Sequence, residues 1–220
     1  GKDALKSVTT GYMNIIIGNN AAPLSTANGN IIMGRDAGER MTTAVSTVAI
    51  GHNALEWNET GGNNTAIGYR AMWYMKSSYN VAIGTTALMG SGTPTSNTGG
   101  QNTAIGYEAL KNNTSGSNNT AIGYQAGKSN LSGSANTICI GNGANVTASN
   151  MCRIGNDSIK VGIGTSSPEC TLDICGNLKI WATTSSNTEK GIFFRNGTAF
   201  QEGGTNVYNC AILTYDHNGD

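Results

Sequence analysis

Few side chains in this chain have the type and spacing for chemistry. Glycoside cleavage needs two carboxylates about 5 to 9.5 Å apart, and the candidates are Glu56 with Glu59, Glu39 near Asp36, and Glu108. Exposed surface acids are the simpler explanation of all of them. His52 and His217 accompany no recognisable Ser or Cys nucleophile motif, so a catalytic triad has no support. Cys139, Cys152, Cys170, Cys175 and Cys210 are odd in number and fit no C-x-x-C spacing. They are expected to be reduced and mostly buried, as in a protein assembled in a reducing compartment. The Gly-Gly-x-Gly-x-Asp pattern of calcium-binding β-rolls is absent, and Asp216 to Asp220 has only the look of an EF-type loop without its distal Glu. The aromatic residues are more telling. Tyr69, Tyr107 and Tyr124 each follow a glycine, while Trp57, Trp73, Tyr74 and Tyr79 crowd the middle of the chain. Aromatic faces are platforms for sugar rings, so these seven are the candidate receptor-binding residues, with packing between copies as the competing role. The expectation is a binding or structural protein rather than an enzyme, with no catalytic residue, no metal and no cofactor.

Composition narrows the classes. Of 220 residues, 13 are basic and 13 acidic, giving a formal charge of zero. Without basic clusters, neither nucleic acid nor an anionic membrane is an expected partner. No apolar run approaches about 18 residues and no signal-peptide pattern is present, so membrane insertion is not expected. Only 12% of residues are charged and 38% hydrophobic, while Gly supplies 31 residues and Pro three. Disorder normally brings net charge and few β-branched residues, and this chain has neither trait. Repeated tight turns fit better. The sequons at Asn58, Asn145 and Asn196 are of a kind that a chain rich in Asn and Thr generates by chance.

An aliphatic residue followed by glycine recurs at Gly18, Gly34, Gly51, Gly68, Gly84, Gly106, Gly123, Gly141 and Gly155, and Gly1 is in register with them. The spacings are 17, 16, 17, 17, 16, 22, 17, 18 and 14 residues. The pattern is already running at Gly1, so a segment of a longer protein is expected. Before each glycine stands Ile or Met. Two places further back the residue is nearly always β-branched, from Ile15, Ile31 and Val48 to Ile138. Those two slots share one face of a strand. The slot between them is Ala at Ala49, Ala66, Ala82, Ala104 and Ala121 and points the other way. Three residues after the glycine comes Ala, often followed by Leu or Met. Asn recurs four residues before it, as in Asn14, Asn30, Asn64, Asn80, Asn102 and Asn119, where aligned amides can bond from coil to coil.

Each unit thus reads as a strand of about five residues, a glycine bend, a second short strand carrying Ala-Leu, and a polar return loop, which is one coil of a β-solenoid. The apolar positions lack helical periodicity. Thr65, Thr103 and Thr120 share a slot, but Ile or Val fills it elsewhere, so no flat ice-binding rank forms and the slot reads as core. One coil has a thin apolar core for its ordering entropy. The small Ala face is therefore expected to lie against companion chains, and a cyclic trimer would close such an assembly.

The strings N-T-A-I-G-Y-R-A-M (64–72), N-T-A-I-G-Y-E-A-L (102–110) and N-T-A-I-G-Y-Q-A-G (119–127) resemble the head repeats of trimeric autotransporter adhesins, and more closely the repeats in tail fibres of phages and large DNA viruses. The segment V-G-I-G-T-S-S-P-E-C-T-L-D-I-C-G-N-L-K-I (161–180) is similar to a stretch found near the end of such fibres. The coils are longer than those of the adhesin heads, and an insertion containing Pro94 interrupts them. The resemblance implies an all-β, left-handed parallel β-roll of about nine coils in a homotrimer. Its parts would be a repeat domain over 1–158, a connector over 159–182 and a β trunk over 183–220. It implies a structural and host-attachment segment of a fibre on the virion surface, with a glycan or protein receptor. The alternatives are a bacterial trimeric adhesin head on a cell surface and a polysaccharide-degrading tailspike.

Overall fold

The computed structural model of the chain describes residues 1–7, 10–129 and 133–175, with the backbone of Phe200–Glu202 and Thr205–Val207. Two compact units divide it, Gly1–Cys175 and Gly176–Asp220. In the first, β1 (Ile15–Ile17), β2 (Ile31–Met33), β3 (Val48–Ile50), β4 (Thr65–Ile67), β5 (Val81–Ile83), β6 (Thr103–Ile105), β7 (Thr120–Ile122), β8 (Ile138–Ile140) and β9 (Cys152–Ile154) form one sheet in chain order. All neighbours are parallel and pair slot for slot, as in Val48 with Thr65, Ala49 with Ala66 and Ile50 with Ile67. Nine such rungs make eight turns of a β-solenoid. A further parallel pair follows, β10 (Val161–Ile163) with β11 (Leu172–Ile174). In the second unit β12 (Phe200–Glu202) pairs antiparallel with β13 (Thr205–Val207). The rest of the expected trunk, with Cys210, His217 and Asn196, lies outside the described residues.

The glycines line up as the repeat requires. Gly68 N–H donates to the Ile50 carbonyl at 2.8 Å, and Gly84 does the same to Ile67. At Gly68 φ is +134°, and an added Cβ would lie 2.6 Å from the Gly84 carbonyl oxygen. Only glycine adopts that backbone and permits that approach.

The asparagine ladder also forms. Asn80 N–H donates to Asn64 Oδ1, Asn102 N–H to Asn80 Oδ1 and Asn119 N–H to Asn102 Oδ1, at 2.9, 2.9 and 3.0 Å. Each amide nitrogen is used too: Asn102 Nδ2 donates to the Gly116 carbonyl at 3.0 Å and Asn119 Nδ2 to that of Ser134 at 2.8 Å. These side chains are buried, and the bonds replace the water they lose.

Inside and outside are the reverse of the sequence expectation. The middle residue of each strand from β2 to β8 faces inward: Ile32, Ala49, Ala66, Ala82, Ala104, Ala121 and Cys139 are fully buried, while Ile16 and Arg153 at the two ends are half-buried. The flanking aliphatic slots face outward, with Ile17, Ile83, Ile122 and Ile140 exposed and the remainder half-buried or exposed. Opposite the inner Ala row stand Ala37, Ala54, Ala71, Ala87, Ala109 and Ala126, again fully buried. A coil of about 17 residues encloses a narrow lumen that Ala fills in five of these strands; Ile32 has room because Gly38 faces it, a Cβ there lying 3.7 Å from Ile32 Cγ2, and the other branched strand residues point out.

The second strand expected in each unit is replaced by turns. Residues two and four after each repeat glycine from Gly1 to Gly123 are left-handed, as at Arg70 (φ 54°) and Met72 (φ 54°), or Glu108 (φ 55°) and Leu110 (φ 48°). A strand would send consecutive residues to opposite faces. The left-handed step turns both in, so Ala109 and Leu110, like Ala71 and Met72, share the core.

The long coil expels its extra residues. Gly90 N–H still reaches the Lys111 carbonyl and Thr98 N–H that of Thr114, at 3.0 and 2.8 Å. Between them Pro94–Ser96 forms one 3-10 turn. Asn97 clasps the neck, accepting the Ser91 N–H and donating to the Ser91 and Thr93 carbonyls.

Of the described cysteines Cys139 is buried, but Cys152, Cys170 and Cys175 are exposed, contrary to the expectation of mostly buried thiols. Cys152 occupies an outward strand slot, and Cys170 and Cys175 lie around the narrow β10–β11 pair, which has no enclosed core to receive them.

Candidate functional site

Parallel stacking in register places each side chain above the same slot of the next coil. Most cross-coil side-chain contacts follow from that rule. Arg40, Trp57 and Tyr74 each lie six residues after their glycine. The Arg40 Cζ is 3.8 Å from the Trp57 ring centroid, and the Trp57 and Tyr74 centroids are 6.2 Å apart. Glu56 and Trp73 occupy the preceding slot, where Trp73 Nε1–H donates to Glu56 Oε2 at 2.7 Å. Trp73 also stacks on Tyr74, centroids 4.4 Å apart at 27°. On its other flank Arg70 places Cζ 3.8 Å from the Trp73 centroid and 5.0 Å from that of Tyr69. His52 and Tyr69 close the row at 5.6 Å.

Four of the seven sequence candidates, Trp57, Tyr69, Trp73 and Tyr74, are thus brought into one patch. Tyr107 and Tyr124 form a separate pair, stacked 5.2 Å apart at 13°. Thr85 takes the same slot between Tyr69 and Tyr107. Tyr79 stands apart at a left-handed corner, φ 63° and 64% exposed.

The sequence reading missed the cations. Arg40 and Arg70 lie against the aromatic patch, and the slot rule would have found Arg40 directly under Trp57. Beside the tyrosine pair, Glu108 Oε1 meets Lys111 Nζ at 2.5 Å, while Oε2 meets Lys128 Nζ at 2.5 Å and Gln125 Nε2 at 2.7 Å. Hydrogen bonds from Lys111, then Lys128, hold the Glu108 carboxyl down at about 2, against desolvation acting the other way. The same contact with Glu108 raises Lys128 above its ordinary value.

The carboxylates of Glu56, Glu59 and Asp36 are occupied as well. Glu59 Oε1 accepts from Lys76 Nζ at 2.9 Å, in a shared slot. Glu56 accepts from Trp73 and Asn53. Asp36 pairs with Arg35 at 3.0 Å and lies 3.8 Å from His52 Nε2. A carboxyl held ionised near neutral pH cannot give the proton that glycoside cleavage requires, so Glu108 is unsuited to that role.

Among the described residues no three His, Cys, Asp or Glu side chains converge as metal ligands. No helix among them is long and apolar enough to cross a membrane. Asn58 of the first sequon is buried, with its Oδ1 accepting the Gly61 N–H at 2.7 Å. Compared with protein-family models, with curated proteins and with solved structures, the chain matches none.

Proposed function

We propose that the chain is a structural and host-attachment segment of a trimeric fibre on a virus or phage particle, binding a cell-surface receptor or glycan through multivalent contacts. The observation that carries this reading is the outward ribbon of β1–β9, where Ile or Met in one slot of every coil, and Ile, Val, Thr or Cys in the other, are exposed or half-buried on a single chain. At about 4.8 Å per rung, eight turns extend it over roughly 38 Å. Contiguous apolar surface of that extent marks an interface. Parallel copies wound about a common axis bury their ribbons together, and closure leaves no lateral edge. Threefold symmetry and left-handed winding come from the likeness of the N-T-A-I-G-Y repeats to fibre and adhesin heads. The Tyr69, Tyr107 and Tyr124 slot and the Trp57–Trp73–Tyr74 cluster then stand on a rigid shaft, and three copies per fibre turn weak contacts into avidity.

Sedimentation equilibrium tests the assembly: a mass of three chains is expected, and a monodisperse monomer overturns it. Adhesion of the labelled chain to candidate host surfaces tests the attachment role, since a trimer that adheres to none is only a shaft.

A further inference from the structure

The aromatic patch holds two cations that packing alone does not explain. The Arg70 guanidinium packs over Trp73, 3.8 Å from the ring centroid, and 5.0 Å from that of Tyr69, and its Nε is shut off from solvent without a hydrogen-bond partner. Neither Arg70 nor Arg40 makes an ion pair among the described residues, whereas nearby Arg35 has Asp36 and Lys76 has Glu59. Backbone preference does not select Arg70 either. Its φ is 54°, in a slot filled by Asn20, Asp36 and Asn53 in earlier coils, the residue types that left-handed corners favour. With Nε closed off, the terminal Nη groups of Arg70, which make no hydrogen bond among the described residues, are the donors left free for an acceptor.

We propose that Arg70 beside Tyr69 and Arg40 over Trp57, one cation at each end of the aromatic row, form a subsite for the carboxylate-bearing sugars of an acidic glycan. The subsite rests on the attachment reading above and deepens it by naming the ligand. A guanidinium lying on an aromatic ring keeps its in-plane donors free for a carboxylate, which it can bind through two parallel bonds. Stacking already restrains the side chain, so less entropy is lost when the ligand arrives. Tyr69 is 40% exposed and Trp57 partly so, leaving aromatic surface for the C–H face of a sugar ring. A neutral sugar would use that surface and leave both guanidiniums unmatched. A simple carboxylate would pair with a guanidinium and leave the rings bare. An acidic sugar meets both requirements.

Isothermal titration of the full chain with a sialylated oligosaccharide and an oligogalacturonate, each beside a neutral counterpart, tests the subsite. One acidic probe is expected to bind about tenfold or more tightly than its neutral counterpart, less so as salt rises. Arg70→Met keeps the aliphatic packing and removes the charge, and should abolish that preference with an unchanged melting temperature. Should that variant not fold, Arg40→Met on an exposed side chain is expected to weaken it alone. Equal affinity for acidic and neutral sugars, absence of binding by both acidic probes, or a folded Arg70→Met that binds like wild type overturns the proposal. Adhesion to cells that survives Arg70→Met overturns the subsite and leaves the attachment role standing. Acidic-sugar binding by a chain that adheres to no surface does the reverse.

Discussion

Asn64 Oδ1 accepts the backbone N–H of Asn80 at 2.9 Å, out of reach of water, and joins two coils through a side chain of the first and the backbone of the second. Asn80 repeats the contact with Asn102 at 2.9 Å. Asn80→Ala leaves the Asn102 N–H buried and unmatched, which costs about 1–3 kcal/mol. Denaturant unfolding should record that loss. Because each coil contacts only its neighbours, hydrogen exchange should quicken around β5 and β6 and hardly change at β1.

Gly68→Ala should be among the most damaging single-methyl changes in the chain. The added Cβ meets the Gly84 carbonyl oxygen at 2.6 Å from a backbone with φ of +134°. Strain and overpacking together predict a loss of about 2–5 kcal/mol. Gly92, whose Cβ would meet nothing within 4 Å, is the control. Gly92→Ala should stay within about 0.5 kcal/mol of wild type.

The reversal of inside and outside has its own test. Ala104 is fully buried between Ala82 and Ala121, so Ala104→Ile should destabilise the coil by about 1–3 kcal/mol or more. Ile105→Glu and Ile122→Glu, on the outward ribbon, should leave the circular dichroism of the solenoid intact and dissociate the proposed trimer to monomers in sedimentation. Loss of the solenoid fold in those two variants, with Ala104→Ile unaffected, would restore the opposite assignment.

Thiol accessibility reports on the same ribbon. Cys139 is buried and should resist alkylation until the chain unfolds. Cys170 and Cys175, exposed beyond the ribbon, should react quickly. Cys152 pairs in register with Ile138 on the outward face. It should react quickly in a dissociated chain and slowly if copies assemble on that face as proposed, with mass spectrometry of the labelled peptides as the measurement.

Glu108 makes stability fall in acid. Its folded value, about 2, lies below the ordinary 4.5, so the stabilisation from Lys111 and Lys128 is complete above about pH 4.5 and is lost as pH falls toward 2. Denaturant midpoints across that window should drop for wild type, and Glu108→Gln should flatten this part of the slope. A carboxyl carbon of Glu108 that titrates near 4.5 by NMR would contradict the assignment.

The vertical order of the molecule was legible because it is periodic. Gly51 above Gly68 and Asn80 above Asn102 follow from spacing alone. Which face is inside did not follow, since alternation says that Ala104 and Ile105 oppose each other but not which one is enclosed. The usual burial of branched aliphatics favoured the wrong choice, and only the narrow lumen of the coil reverses it. The left-handed corners had left a trace: Gly38 and Gly127 occupy the slot of Leu55 and Met72, and Asn20 and Asn53 that of Arg70. The aromatic candidates were visible as residue types. Their division into two patches, and the cations that complete them, required the slots to be stacked in space.

The extruded loop held by Asn97 shows where this architecture can change. Because the pairing of Gly90 and Thr98 with the next coil continues beneath it, a longer peptide or a whole folded module could be grafted between Ser91 and Ser96 while the rungs keep their spacing. Variation in such a protein can thus accumulate sideways, as new decoration at one corner, without altering the length of the solenoid.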